Sequence, residues 1–523
     1  ALILPALLLA APEDKQAGDK PAGDKADKTD KEKEKADKEK PDKEKPDKEK
    51  KPEPEEKPVV TTHDLKIASK VVKYTVTAGL MPLKNDAGDT EANIFFVAYV
   101  ADRPGGPEKR PLMFSFNGGP GSSSVWLHLG ALGPKRVKMR EDGMMPSPPY
   151  QLVDNEQTWL DQTDLVFIDP VGTGYSRATK PELGKKFWGL QGDLDSVGEF
   201  IRLYLTRYER WGSPLFLVGE SYGTTRAAGL AGRLVERGIA FNGIVLVSSI
   251  LNFQTALFTK GNDLPYPLYL PTYAAAAWFH KKLPADLQSK DLRVVLDEVR
   301  SFASREYPVA LAKGDQLPRD ERAALVARLS RYTGLRERYV DNADLRVEIQ
   351  HFCKELLRDD RRTVGRLDAR FKGIDETAVG AEPSFDPSMA AIRPPYTAML
   401  NDYVRRSLGY KTDLQYYILG GGVTTPWDWG SDGILAADTS ESLRSAFSKN
   451  PDMKLLVASG FYDLATPFFA TEYTLSHMGL EESQRARIST GTYEAGHMMY
   501  IHEAELARLK KDVAGFLSTA LSR

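Results

Sequence analysis

A serine held between two glycines is the first feature of this sequence with chemistry in it. Leu215-Phe216-Leu217-Val218-Gly219-Glu220-Ser221-Tyr222-Gly223 is an apolar run that ends in Gly-x-Ser-x-Gly. A serine at a strand-to-helix turn this sharp takes a strained backbone conformation. Bulk two residues to either side would clash, so glycine belongs at 219 and 223. Chance alone gives about 0.2 such pentapeptides in a chain this rich in glycine, so the flanks decide the matter. A buried strand precedes the motif, and Ala227, Ala228, Gly229, Ala231 and Gly232 follow it as small residues that let a helix pack closely. Ser221 is therefore the expected nucleophile.

A serine nucleophile needs a base to take its proton, and histidine suits that role near neutral pH. Of the seven histidines, His63 borders a charged segment, His280 and His351 fall in a helical region, and His128 follows a glycine loop too early. His477 sits in a helical stretch, and His502 reads as part of the last helix. His497, in Thr492-Tyr493-Glu494-Ala495-Gly496-His497, follows the last strand-like run, where a Ser…Asp…His chain order places the base. Between the two, Leu455–Ser459 runs through Gly460-Phe461-Tyr462 to Asp463 at a strand end. Asp463 is the expected orienting acid, holding the imidazole tautomer and stabilising the imidazolium. Asp432 and Asp438 are possible substitutes, but neither follows a strand. One oxyanion donor is the N–H of Tyr222, next after the nucleophile. The other should come from the glycine loop Asn117-Gly118-Gly119-Pro120-Gly121-Ser122-Ser123-Ser124.

Other chemistries find less support. Neither that loop nor Gly172-Thr173-Gly174 carries the Gly-x-x-x-x-Gly-Lys or full Gly-x-Gly-x-x-Gly of a phosphate cradle. His502-Glu503 lacks the second histidine of His-Glu-x-x-His, and Cys353 is a lone cysteine without metal-ligand spacing, so no metal and no cofactor are expected. A net charge of −2 gives no electrostatic case for nucleic acid.

The elements that must position these residues can be read from patterning. Leu112–Phe116, Asp164–Asp169, Leu215–Val218, Ile244–Ser248 and Leu455–Ser459 are continuous apolar runs rather than alternating ones. Such runs fit strands covered on both faces, and their alternation with helical patterns predicts a doubly wound, mostly parallel α/β sheet. Val71–Thr77 and Ala92–Ala101 predict an antiparallel hairpin leading into it. Residues 251–408 are charged and helical, as in Asp291–Tyr307 and Arg319–Thr333, with no convincing buried strand. They are expected to form a helical cap inserted in the core, dividing it into 63–250 and 409–523. Residues 12–62 are mostly Lys, Asp, Glu and Pro, which bury nothing and predict a disordered linker. The apolar run 1–11 suits the core of a truncated signal peptide, which implies a secreted or periplasmic enzyme. No stretch reaches the length of a transmembrane helix.

Taken together, Asn117–Ser124, Gly219-Glu220-Ser221-Tyr222-Gly223, Asp463 with Pro467 after it, Ala495-Gly496-His497 and Asp169–Ser176 resemble the serine carboxypeptidase family, from about residue 70 to the end. The resemblance implies an α/β-hydrolase fold, with Ser221, Asp463 and His497 as triad and the N–H groups of Gly119 and Tyr222 as oxyanion hole. It also implies that Asn117, Gly118 and Glu220 hold the terminal carboxylate of a peptide substrate. The sequence departs from the family pattern at several points. Gly460-Phe461-Tyr462-Asp463 keeps only the second acid of the family's Gly-Asp-x-Asp, and Tyr500 stands where a proline often follows the histidine. The glutamate that usually pairs with the Glu220 equivalent is missing from Val125–Ala131, and the family's disulfide cysteines are absent, as in a bacterial-type member. A lone ionised Glu220 would repel a carboxylate, whereas Asn117 and the Gly118 N–H would still donate to it. His128 lies in the region of the missing partner and either supplies a positive charge or packs in its helix. The expected activity is release of residues from peptide C-termini through an acyl-enzyme. An esterase or acyltransferase with the same triad, and a non-catalytic binding protein on the same scaffold, are the alternatives.

Overall fold

The computed structural model describes residues 56–67, 69–102, 106 and 109–522. The apolar run at 1–11 and the charged segment as far as residue 55 lie outside the described residues. Strand β1 (Val59–Ile67) opens inside the stretch predicted as linker. The charged composition ends at Lys57, and Val59-Val60-Thr61-Thr62 are β-branched residues that suit a pleated strand. β1 pairs antiparallel with β2 (Lys70–Lys84), and β2 with β3 (Thr90–Ala101), which is the predicted hairpin with longer arms.

Five further strands fall where the apolar runs predict them, β4 (Leu112–Phe116), β5 (Asp164–Ile168), β6 (Leu215–Ser221), β7 (Gly243–Ser249) and β8 (Lys454–Gly460), and β9 (Ile488–Tyr493), a half-exposed edge strand, follows without such a run. With the short Arg177–Ala178 strand on β3, they form one ten-stranded sheet among the described residues, in the order β1-β2-β3-β5-β4-β6-β7-β8-β9. Every pairing from β5 through β9 is parallel. Side chains of these strands go alternately to two cores. Leu217, Ile244 and Leu246 join one, while Phe216, Val218, Val245 and Val247 join the other. Burial on both faces is why the strands read as unbroken apolar runs.

Helix α1 (Leu190–Arg207) lies beside α2 (Tyr222–Glu236), the helix that leaves the serine turn. The small residues of α2 admit helices as well as the sheet. A Cβ on Gly229 would meet Leu194 of α1 at 2.7 Å, and one on Gly232 would meet the Ser442 carbonyl at 2.6 Å.

No strand of the large sheet lies between β7 and β8, and the stretch between them is largely helical. Its helices include α3 (Pro265–Phe279), α4 (Leu292–Arg305), α5 (Arg319–Thr333) and α6 (Pro387–Asp402). It also holds a small antiparallel pair, Arg362–Val364 with Lys372–Ile374, which three-residue strands are too short to announce in sequence. Irregular backbone that bridges Leu419 to Ser122 and Tyr417 to Gly174 leads into α7 (Ser440–Lys449), which precedes β8. The final helix α8 (Glu503–Leu521) closes the fold. No described helix is long and apolar enough to cross a membrane.

Candidate active site

Ser221 ends β6 with φ 61° and ψ −132°, a left-handed conformation for a residue with a side chain. Its flanking glycines are required by contact. A Cβ on Gly219 would lie 2.1 Å from the Gly223 carbonyl oxygen, and one on Gly223 would lie 2.8 Å from that of Phe116. Ser221 is buried, yet its Oγ has no hydrogen-bond partner among the described residues.

His497 and Asp463 meet at the ends of β9 and β8. His497 Nδ1 lies 2.8 Å from Asp463 Oδ2. The carboxylate is fully buried and satisfied. Asp463 Oδ1 accepts from the N–H groups of Ala465 (2.8 Å) and Thr466 (3.0 Å), and Oδ2 accepts from Thr466 Oγ1 at 2.6 Å. With Nδ1 turned to Asp463, Nε2 is the nitrogen that can act as base. It is buried and, like Ser221 Oγ, unpartnered. The two atoms are not bonded to each other, but both residues line one small pocket with Asn117, Gly119, Glu220 and Trp126. Catalytic hydrogen bonds are often long before substrate binds. Asp432 and Asp438 are exposed, and Asp438 accepts from the Ser440 N–H at the start of α7.

The glycine loop presses directly on the serine turn. A Cβ on Gly118 would sit 2.4 Å from the Tyr222 nitrogen, which leaves room for no other residue. Gly119 follows with φ +105°, a conformation that glycine adopts without strain. Tyr222 begins α2, so its N–H has no partner within the helix. A buried ion pair fixes the turn from below. Arg226 Nε lies 2.8 Å from Asp193 Oδ2, which also accepts from the Tyr222 hydroxyl at 3.1 Å. The same guanidinium donates to the Asn117 carbonyl at 2.7 Å. Burial pushes the Asp193 carboxyl up, and Arg226 opposes that shift. Asp193 and Arg226 carried no signal in sequence, where each reads as an ordinary helical charge.

Glu220 is buried beside Ser221, and of the two readings of His128 the structure takes the packed one. Glu220 Oε1 accepts from Asn117 Nδ2 at 3.0 Å, and Oε2 accepts from the Tyr500 hydroxyl at 2.6 Å. Tyr500, noted in sequence only as a missing proline, is thus the partner of Glu220. Burial pushes the Glu220 carboxyl up to about 7, against the opposing influence of His497 and of the Tyr500 hydrogen bond. His128 supplies no charge here. Its Nε2 lies 2.6 Å from the Tyr99 hydroxyl, its ring stacks on Phe167 at 4.1 Å, and burial lowers its pKa to about 3. It is a neutral core residue. Apolar walls from the insertion, Met389 and Ile392 of α6 with Leu367 and Leu419, complete the pocket.

Three comparisons bear on this site. Residues 68–294 match the family model described as serine carboxypeptidase. The pheromone-processing carboxypeptidase KEX1 of Saccharomyces cerevisiae is 35% identical over 159 residues, covering 28% of this chain and 20% of its own length. Serine carboxypeptidase-like 8 of Arabidopsis thaliana is 29% identical over 174 residues, covering 31% of this chain and 38% of its own. The matched segments thus span between a fifth and two fifths of these relatives. Among solved structures, that of the prohormone-processing carboxypeptidase KEX1 from Saccharomyces cerevisiae superposes with a TM-score of 0.52 at 17% identity, covering 85% of this chain and 91% of that one. These relatives are from yeast and a plant, so the expectation of a bacterial-type member finds no support in them. Residues 68–294 thus resemble the serine carboxypeptidase family, and the fold is the α/β-hydrolase fold.

Proposed function

We propose that this enzyme is a serine carboxypeptidase that removes residues from peptide C-termini through an acyl-enzyme. The observation that carries the proposal is one pocket holding Ser221, His497 and the buried Glu220 carboxyl together. Ser221 Oγ attacks the carbonyl carbon of the last peptide bond as His497 Nε2 takes its proton. Asp463 holds the imidazole and stabilises its charged form. The N–H groups of Gly119 and Tyr222 receive the developing oxyanion. Collapse expels the C-terminal residue as its amine, which takes the proton from His497. Water, deprotonated by the same histidine, then releases the shortened peptide and frees Ser221. The apolar run at 1–11 supports export of the enzyme.

Glu220 sets how the leaving residue's carboxylate is received. Below about pH 7 its carboxyl is neutral and can donate a hydrogen bond to a substrate carboxylate. Above that pH it is ionised and repels one. For one blocked dipeptide, kcat/KM relative to its C-terminal amide should fall as pH rises through 7, while turnover of the amide lacks this transition. Equal turnover of acid and amide from about pH 4 to 8 would remove the exopeptidase reading and promote an esterase or amidase.

Tyr500 tunes that transition. A hydrogen bond donated to the ionised carboxylate favours ionisation, so Tyr500→Phe should move the midpoint of the acid-to-amide ratio upward. A shift of about one pH unit is expected, since hydrogen bonds to charged groups contribute about 1.5–3 kcal/mol and 1.36 kcal/mol corresponds to one unit. An unmoved or lowered midpoint would show that Tyr500 does not act through Glu220.

A further inference from the structure

The loops carrying Asp463 and His497 are joined by a short segment of the insertion. The Leu367 carbonyl accepts from the His497 N–H at 2.7 Å, and Asp368 Oδ2 accepts from the Gly496 N–H at 3.1 Å. On the acid loop, the Arg366 carbonyl accepts from the Leu464 N–H at 3.1 Å, and the Ala369 N–H donates to the Tyr462 carbonyl at 2.9 Å. Arg370 completes the arrangement. It pairs with Asp368 at 2.7 Å and donates to the Glu494 carbonyl at 2.7 Å. Contact is close enough that a Cβ on Gly496 would lie 2.4 Å from that of Asp368. The segment is itself anchored at the start of α6. Asp386 Oδ1 accepts from the Arg366 N–H at 3.1 Å, and Ser388 Oγ accepts from the Leu367 N–H at 3.1 Å.

We infer that residues 366–370 are a strut through which the cap sets the spacing of the base and its acid, with Asp368 as the positioning residue for His497. Asp368 is buried and touches no atom that reacts. Its effect must pass through the backbone at Gly496, one residue from the imidazole. A displacement of about 1 Å at a catalytic group can cost roughly 100-fold in rate. The same α6 that anchors the strut supplies Met389 and Ile392 to the pocket, so contacts made there bear on the triad's geometry.

The inference rests on the Ser221–His497–Asp463 reading, and the test separates the two. A serine-directed fluorescent phosphonate is allowed to label the full chain, and both the final extent and the rate constant are recorded. Extent counts folded sites, whereas the rate constant reports how well His497 activates Ser221. Asp368→Ala should label about 100-fold more slowly to an extent near that of the unmodified protein, and Asp368→Asn, which keeps an acceptor for the Gly496 N–H, should recover part of the loss. Asp375→Asn, which breaks a buried pair with Lys354 and makes no side-chain hydrogen bond to residues 366–370 or to the Asp463 and His497 loops, should change extent or melting temperature but not the rate constant. If Asp368→Ala does not fold, Asp368→Asn decides alone, with about tenfold slower labelling expected. A wild-type rate constant in the Asp368 variants, with only extent or melting temperature lowered, overturns the strut and leaves the triad standing. Absence of labelling in the unmodified protein overturns both.

Discussion

Ser221→Ala is expected to lower kcat by about 10⁵- to 10⁶-fold and to abolish phosphonate labelling. The substitution removes the hydroxyl that shares the pocket with the unpartnered His497 Nε2. It should do so without unfolding the enzyme. Ser221 Oγ makes no hydrogen bond, so none is lost. Alanine meets the same strain at φ 61° that serine already bears, because both carry a Cβ. A melting temperature close to that of the unmodified protein is therefore part of the expectation. Labelling that survived the substitution would place the nucleophile elsewhere.

The acid should give the next largest effect. Asp463→Asn is expected to cut kcat by about 10⁴-fold while the fold persists. An amide can still accept from the Ala465 and Thr466 N–H groups through its oxygen. Its NH2 then faces His497 Nδ1, where a donor stabilises the wrong tautomer and leaves the imidazolium without a counter-charge. Thr466 Oγ1, 3.3 Å from His497 Nδ1, cannot replace a carboxylate because it carries no charge. Asp432→Asn and Asp438→Asn serve as controls, since both residues are exposed. A large loss in either of them, with Asp463→Asn nearly active, would reassign the acid.

What the sequence determined by itself is local. The serine turn is partly a local steric problem, because Gly219 faces the Gly223 carbonyl within the turn itself, whereas Gly223 is held to glycine by the Phe116 carbonyl of β4. The strands of the parallel sheet other than β9 are legible because burial on both faces leaves no polar alternation, and strand ends in chain order mark Asp463 and His497 as candidates. What only the tertiary structure decided is which distant residues share the pocket. Tyr500 reaches Glu220 across 280 positions, and Asp368 reaches Gly496 across 128. Nothing in the local pattern of a tyrosine or an aspartate encodes such a partner. His128 shows the converse. Its position in the chain left open a charge near Glu220 or simple packing, and Tyr99 and Phe167, brought from neighbouring strands, decide for packing by burying it where a charged ring is too poorly solvated to persist. Charge state at this site depends on desolvation, and desolvation is set by neighbours that only the fold assembles.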